Sequence, residues 1–159
     1  KIFMIGKRKD ELGGSLFYQI HNELGANVPK PNLKKFKNQI HALNTINENR
    51  LISSCHDISD GGMLCALVEM TFENKIGCSI DYEETININA ILFGETSGFI
   101  IEVENENMNQ IKIELKEKGI DHIVIGKTTN NEKITFNDKI NIDIETCFNA
   151  WTGGLREKL

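Results

Sequence analysis

The spacing of apolar residues keeps changing along this chain, from every second residue to every third or fourth and back, and this switching restricts its fold more than any other feature. A period of two buries one face of a strand and a period of about 3.6 buries one stripe of a helix, so short strands must alternate with helices. "KIFMIG" predicts a strand. After the break at Gly13-Gly14 a short helix is predicted from Ser15 to Leu24, and "GANVPKPN", with Pro29 and Pro31, reads as a loop. Asn32 is placed to cap a helix in which Leu33, Phe36, Ile40 and Leu43 recur at helical spacing, leaving Lys34, Lys35 and Lys37 on its wet face. "RLISSCH" reads as a short buried strand. The helix after it, from about Gly61 to Phe72, carries Met63, Leu64, Leu67, Val68 and Thr71 as a core stripe.

The second half repeats the pattern. "IGCSIDY" predicts a strand, "INAILFGE" a short helix or turn, and "SGFIIEV" a strand with Phe99, Ile101 and Val103 on one face. A helix from about Asn107 to Lys118 turns Met108, Ile111 and Leu115 inward and stops at Gly119. "DHIVIGK", "KITF" and "INIDI" are further strands, and a last short helix carries Cys147, Phe148 and Trp151. The order predicts an α+β fold over residues 1–159: one domain, a mixed β-sheet with helices covering at least one face.

A chain of 159 residues buries enough surface to dispense with disulfide staples. Cys55, Cys65, Cys78 and Cys147 lack zinc-site spacing and are expected to be reduced, buried thiols. No apolar run approaches the ~20 residues of a membrane span, and no signal-peptide pattern opens the chain, so a cytoplasmic protein with no membrane partner is expected. A net charge of -5 argues against nucleic acid as a partner. The start at Lys1, directly in an apolar segment, reads as an excised domain.

"SSCHDISDGGMLCALVEM" concentrates the polar chemistry. A strand that stops at Asp57, turns through Ser59 and Asp60 and enters a helix at Gly61-Gly62 has the form of an anion site, with backbone N–H groups aimed into the turn. Two aspartates would repel a bare phosphate, which favours an intervening cation such as Mg²⁺ on Asp57. The alternative is architectural: Ser59 or Asp60 caps the helix and the glycines permit close packing. His56 beside Cys55 forms no dyad, because neighbours on a strand face opposite ways, and it reads as a hydrogen-bonded structural group. In "ELGGSLF", Gly13, Gly14 and Ser15 either offer donors to a phosphate or start a helix capped by Ser15. In "LFGETSGF", Glu95, Thr96 and Ser97 stand at the mouth of a strand, where the carboxylate is placed to orient a ligand.

Taken together and in order, "LGGS", "HDISDGG", "LFGETSGFIIEV", "IGK" and "AWTGGL" resemble the phosphoribosylformylglycinamidine synthase family, and within it the last domain of the synthetase subunit. That domain is of the type found at the C-terminus of aminoimidazole ribonucleotide synthetase. The resemblance implies a role in an ATP- and Mg²⁺-dependent ligase of purine biosynthesis that converts formylglycinamide ribonucleotide to its amidine with ammonia from glutamine. It also implies that the ATP-binding domains belong to the same parent chain and that the glutaminase is another subunit or domain; the ending after "AWTGGLREKL" favours a separate subunit. Catalytic residues are then expected outside this chain, which is inactive alone. Asp57 is implied as a metal candidate, and Gly13, Gly14, Ser15, Ser59, Asp60, Gly61, Gly62 and Glu95 as nucleotide or phosphate candidates at an auxiliary site. A structural module, or a domain of a small-molecule kinase such as thiamine-monophosphate kinase, is the alternative.

Overall fold

Strand β1 (Ile2–Ile5) is buried along its whole length, because β4 (Gly98–Glu102) and β5 (His122–Thr129) pair with it on either side and helices cover both of its faces. The computed structural model describes residues 1–156, with the side chains of residues 155 and 156 outside that description; Leu155, the last residue of "AWTGGL", is one of these. Seven strands form one sheet in the order β2-β4-β1-β5-β3-β6-β7, where β2 is Ser54–Ile58, β3 Gly77–Ile80, β6 Lys133–Phe136 and β7 Ile140–Asp143. All pairings are antiparallel except β3 with β6, so the sheet is mixed.

The alternation along the strands sorts the core into two layers. Ile2, Met4 and Ile100 point to one face, where they pack with Met63, Ala66 and Leu67 of α3 (Gly62–Glu69) and Ile91 of α4 (Ile88–Phe93). Phe3, Ile5, Ile101 and Val103 point to the other face, against Leu43 and Ile46 of α2 (Leu33–Glu48) and Ile111 and Leu115 of α5 (Met108–Glu117). Phe99 joins this second layer, as the strand pattern predicts. Helices therefore cover both faces.

Several expectations change. The first helix, α1 (Leu16–Ile20), is shorter than predicted, because Asn22 and Gly25 take positive φ and fold the chain back onto Gly13 and Gly14. The buried stripe of α2 is Gln39, Ala42, Leu43 and Ile46, while Leu33 is 75% exposed. The first turns of this helix line an open cleft rather than the sheet, and Phe36 stacks on Phe99 at 5.6 Å. The last helix, α6 (Ile144–Arg156), is longer than predicted and runs through Gly153-Gly154. Of the cysteines only Cys78 is buried; Cys55 is exposed, on edge strand β2.

Candidate functional site

The carboxylate of Glu95 joins the three glycine-containing turns. Its Oε1 accepts the backbone N–H of Leu16 at 2.9 Å and that of Gly61 at 3.0 Å, the first at the start of α1 and the second at the start of α3. A carboxylate is favoured there, since unpaired N–H groups give helix starts a partial positive charge. Glu95 follows α4 directly and is fixed from below by Arg8, which is 5% exposed. The Arg8 guanidinium donates through Nη1 to the Gly94 carbonyl at 2.9 Å and through Nη2 to the Thr96 carbonyl, gripping the chain on both sides of Glu95. Thr96 in turn donates its hydroxyl to Glu11 Oε2 at 3.1 Å. Burial pushes the Arg8 pKa down to about 10, partly offset by Tyr82 and Glu11, so the side chain stays cationic at neutral pH. Its Nε is buried without a partner among the described residues.

The junction at Gly61-Gly62 is built on left-handed backbone, with φ of 80° and 74°. A Cβ on Gly62 would lie 2.7 Å from Phe93 Cα and 2.8 Å from the Leu92 carbonyl, so glycine is what lets α3 and α4 touch. Neither Ser59 nor Asp60 caps α3, both side chains being exposed; the residue at its cap position is Gly61, which has no capping side chain of its own. Glu95 supplies that acceptor from a distant turn. Gly62 N–H donates to the Ser59 carbonyl at 3.0 Å.

At the other turn, Gly13 N–H and Gly14 N–H donate to the carbonyls of Asn27 and Leu24, each at 2.8 Å. Ser15 is buried and caps α1, accepting from Tyr18 N–H and donating to the Leu12 carbonyl at 2.6 Å. The N–H groups of Gly13, Gly14, Gly61 and Gly62 thus already have acceptors within the chain, and a phosphate at Gly61 would take the place of Glu95.

Asp57 lies on edge strand β2 with its side chain 60% exposed, its Oδ1 3.7 Å from His56 Nδ1. No group of three His, Cys, Asp or Glu side chains among the described residues is placed to hold a metal ion. An exposed carboxylate is by its chemistry able to serve as one oxygen ligand of a cation. His56 is structural in its contacts: Nδ1 faces the Asp57 carbonyl at 2.7 Å and Nε2 faces Glu69 Oε2 at 3.1 Å.

Sequence reasoning brought forward Glu95, the glycines and Ser15, and the structure brings them together. It passed over Arg8 and Glu11, which sit in the charged run "KRKDE". The one signal was position, since the run lies between a buried strand and "LGGS".

The architecture is thus a mixed sheet covered on both faces, with a glycine-built strand-to-helix joint sealed by a glutamate. The chain belongs to the family of AIR synthase related protein, C-terminal domain, whose model matches residues 1–139. It is similar to phosphoribosylformylglycinamidine synthase subunit PurL of Methanothrix thermoacetophila, at 29% identity over 99% of this chain and 21% of that protein. It is also similar to the same subunit of Methanocaldococcus jannaschii, at 33% identity over 91% of this chain and 20% of that protein. The chain thus spans about a fifth of the length of these curated relatives. Thermotoga maritima PurL complexed with FGAR shares the fold with a TM-score of 0.76 at 12% identity, over 91% of this chain and 27% of that one. The same protein complexed with ATP gives 0.67 at 14% identity, over 91% and 24%. No helix among the described residues is long and apolar enough to cross a membrane.

Proposed function

We propose that this chain is the C-terminal domain of the synthetase subunit of a phosphoribosylformylglycinamidine synthase. In that role it takes part in converting formylglycinamide ribonucleotide, ATP and glutamine-derived ammonia to formylglycinamidine ribonucleotide. The reading rests on one observation: three of the five stretches that carry the family resemblance meet at the Glu95 carboxylate, in a chain similar over nearly all its length to subunits of this synthase. ATP and Mg²⁺ are the cofactors of the parent enzyme, and its ATP-binding domains and a glutaminase subunit or domain are the partners, in the cytoplasm. Phosphoryl transfer demands a nucleotide, metal ions and a substrate held together. This chain contributes one exposed metal ligand, Asp57, beside a joint whose donors are already bonded. Its part is therefore to complete the fold of the enzyme and to border an auxiliary nucleotide site whose remaining ligands come from the ATP-binding domains.

The test is an amidine assay with ATP, Mg²⁺, formylglycinamide ribonucleotide and ammonia. The full-length protein is expected to form product and the 159-residue chain alone to form none. Turnover by the short chain at the full-length rate would overturn the domain reading, and no product from the full-length protein would overturn the synthase reading.

A further inference from the structure

At the carbonyl end of α3, away from the Glu95 joint, a cavity of about 310 Å³ opens between the sheet and the turn that leads into β3. The pairing registers build its floor. Ser54, Glu102 and Ile2 stand side by side across β2, β4 and β1, and Ile100 lies one step further along the same face. Leu67, Met70 and Ile76 wall it from α3 and the turn, and Cys78 closes the floor on β3. Ile2, Leu67, Cys78 and Ile100 are each no more than 4% exposed, whereas Ile76 is 42% exposed. The cavity is an aliphatic slot, with no aromatic ring in its lining among the described residues.

Its charged groups have one sign. Glu73 in the turn and Glu102 on β4 are the ionised side chains of the lining, and neither forms an ion pair among the described residues. Lys1 and Lys127 lie outside the cavity, in a neighbouring hollow that Glu102 also borders. Two lining hydroxyls already spend their protons. Ser54 Oγ donates to Glu102 Oε2 at 3.3 Å and Thr71 Oγ1 to the Val68 carbonyl at 2.6 Å, so what remains free on both is acceptor capacity. The carbonyl end of α3 adds partial negative charge.

We propose that this cavity binds a primary aliphatic amine, with its methylenes against Ile2, Leu67 and Ile100 and its ammonium at Glu102 and Glu73. An ammonium carries three donors and no acceptor, which complements a lining rich in acceptors. The aliphatic floor takes a methylene chain, and it lacks the aromatic face over which quaternary or guanidinium cations are held. Two carboxylates exclude an acid of the same length by like-charge repulsion. The volume lies at the lower end of the range of about 300–1,000 Å³ that small-ligand pockets occupy. The inference rests on the cavity alone and not on the synthase reading, so amidine formation and amine binding stand or fall separately.

The test is saturation-transfer NMR on the full-length protein, at neutral pH and fixed ionic strength, with hexylamine, butylamine, 1-hexanol and hexanoate as probes. Hexylamine is expected to bind with a dissociation constant of about 1 mM, within the reach of so small a ligand. Butylamine should bind about tenfold more weakly, because it buries fewer methylenes. The neutral 1-hexanol should bind at least about fivefold more weakly than hexylamine, and hexanoate more weakly still. Glu102→Gln keeps the shape of the floor and should weaken hexylamine by about fivefold or more while leaving 1-hexanol unchanged. Glu73→Gln, at an exposed turn position whose change does not threaten folding, should weaken it by about threefold. No transfer to hexylamine, equal affinity for 1-hexanol or hexanoate, or hexylamine affinity unchanged in Glu102→Gln or in Glu73→Gln would overturn the proposal.

Discussion

Glu95 accepts hydrogen bonds from residues 79 and 34 positions away in the chain, so one side chain ties together turns that sequence distance keeps apart. Glu95→Ala strands the partly buried Gly61 N–H, while the Leu16 N–H, more open, turns to water. The expected loss is about 1–3 kcal/mol of folding stability, and about half of that for Glu95→Gln, which keeps an acceptor but not the charge. Urea denaturation measures it, and a loss for Glu95→Ala below about 0.5 kcal/mol, the scatter of neutral surface changes, would show that Glu95 does not hold the joint. Cys78 offers a pH-dependent counterpart. It is 2% exposed, and burial pushes its thiol from 9.0 up to about 12. Between those values the unfolded chain releases the thiol proton while the folded chain keeps it, so the folded state binds more protons. The stability linked to this group is therefore fully present below pH 9.0 and is lost as pH rises toward about 12. Tyr82, raised from 10.0 to about 12 chiefly by burial, adds to the same trend, so the informative quantity is the difference between the protein and Cys78→Ala. The variant should show a shallower fall with pH, and identical slopes would refute the assignment. Native-state alkylation should reach exposed Cys55 first and Cys78 last.

At the scale of elements, the contact between α3 and α4 depends on which glycine is replaced. Both Gly61 and Gly62 have positive φ, but a Cβ on Gly61 would meet the Cys65 side chain, which can turn aside, whereas one on Gly62 would meet the backbone of Leu92 and Phe93. Gly61→Ala is expected to cost about 1–2 kcal/mol and Gly62→Ala about 3 kcal/mol or more, the latter with α4 displaced. Thermal unfolding of the two variants checks the order, and a reversed order would mean that α4 is not held against the joint. Elements of this kind were legible in the sequence, since β1, α3, β4 and α5 announce themselves by period and by the glycines at their ends. Ser15 was legible as a cap because the cap is local. Contacts between distant turns were not. The parallel pairing of β3 with β6, the clamp of Arg8 on Gly94 and Thr96, and the meeting at Glu95 all join segments whose proximity no local pattern encodes. The face of α2 was misjudged for a related reason. Leu33 is apolar yet stands over open space, and Gln39 is polar yet turns inward, which composition alone cannot reveal when a helix borders a cleft instead of the sheet.

At the scale of the whole molecule, strand β2 forms one edge of the seven-stranded sheet. Asp57 stands on edge strand β2 with its side chain 60% exposed, one residue before buried Ile58 anchors the strand. If the parent enzyme holds a Mg-nucleotide at this half, Asp57 is the ligand this chain offers, and the rest of the coordination comes from the ATP-binding domains. Asp57→Asn removes one charge from the metal without removing an apolar contact. In the full-length protein it should weaken Mg-ADP binding at this half by about tenfold or more, as loss of a metal-site group does. Stability should change by no more than about 0.5 kcal/mol, as at other exposed positions. Glu95→Gln provides the contrast, because it loosens the joint without touching a metal ligand and should reduce stability more than nucleotide affinity. Calorimetric titration with Mg-ADP, counting nucleotides bound per chain, separates the two roles. Unchanged stoichiometry and affinity in Asp57→Asn would remove this chain from any nucleotide site and leave "HDISDGG" as a strand-to-helix joint, held shut by Glu95 and serving the fold alone.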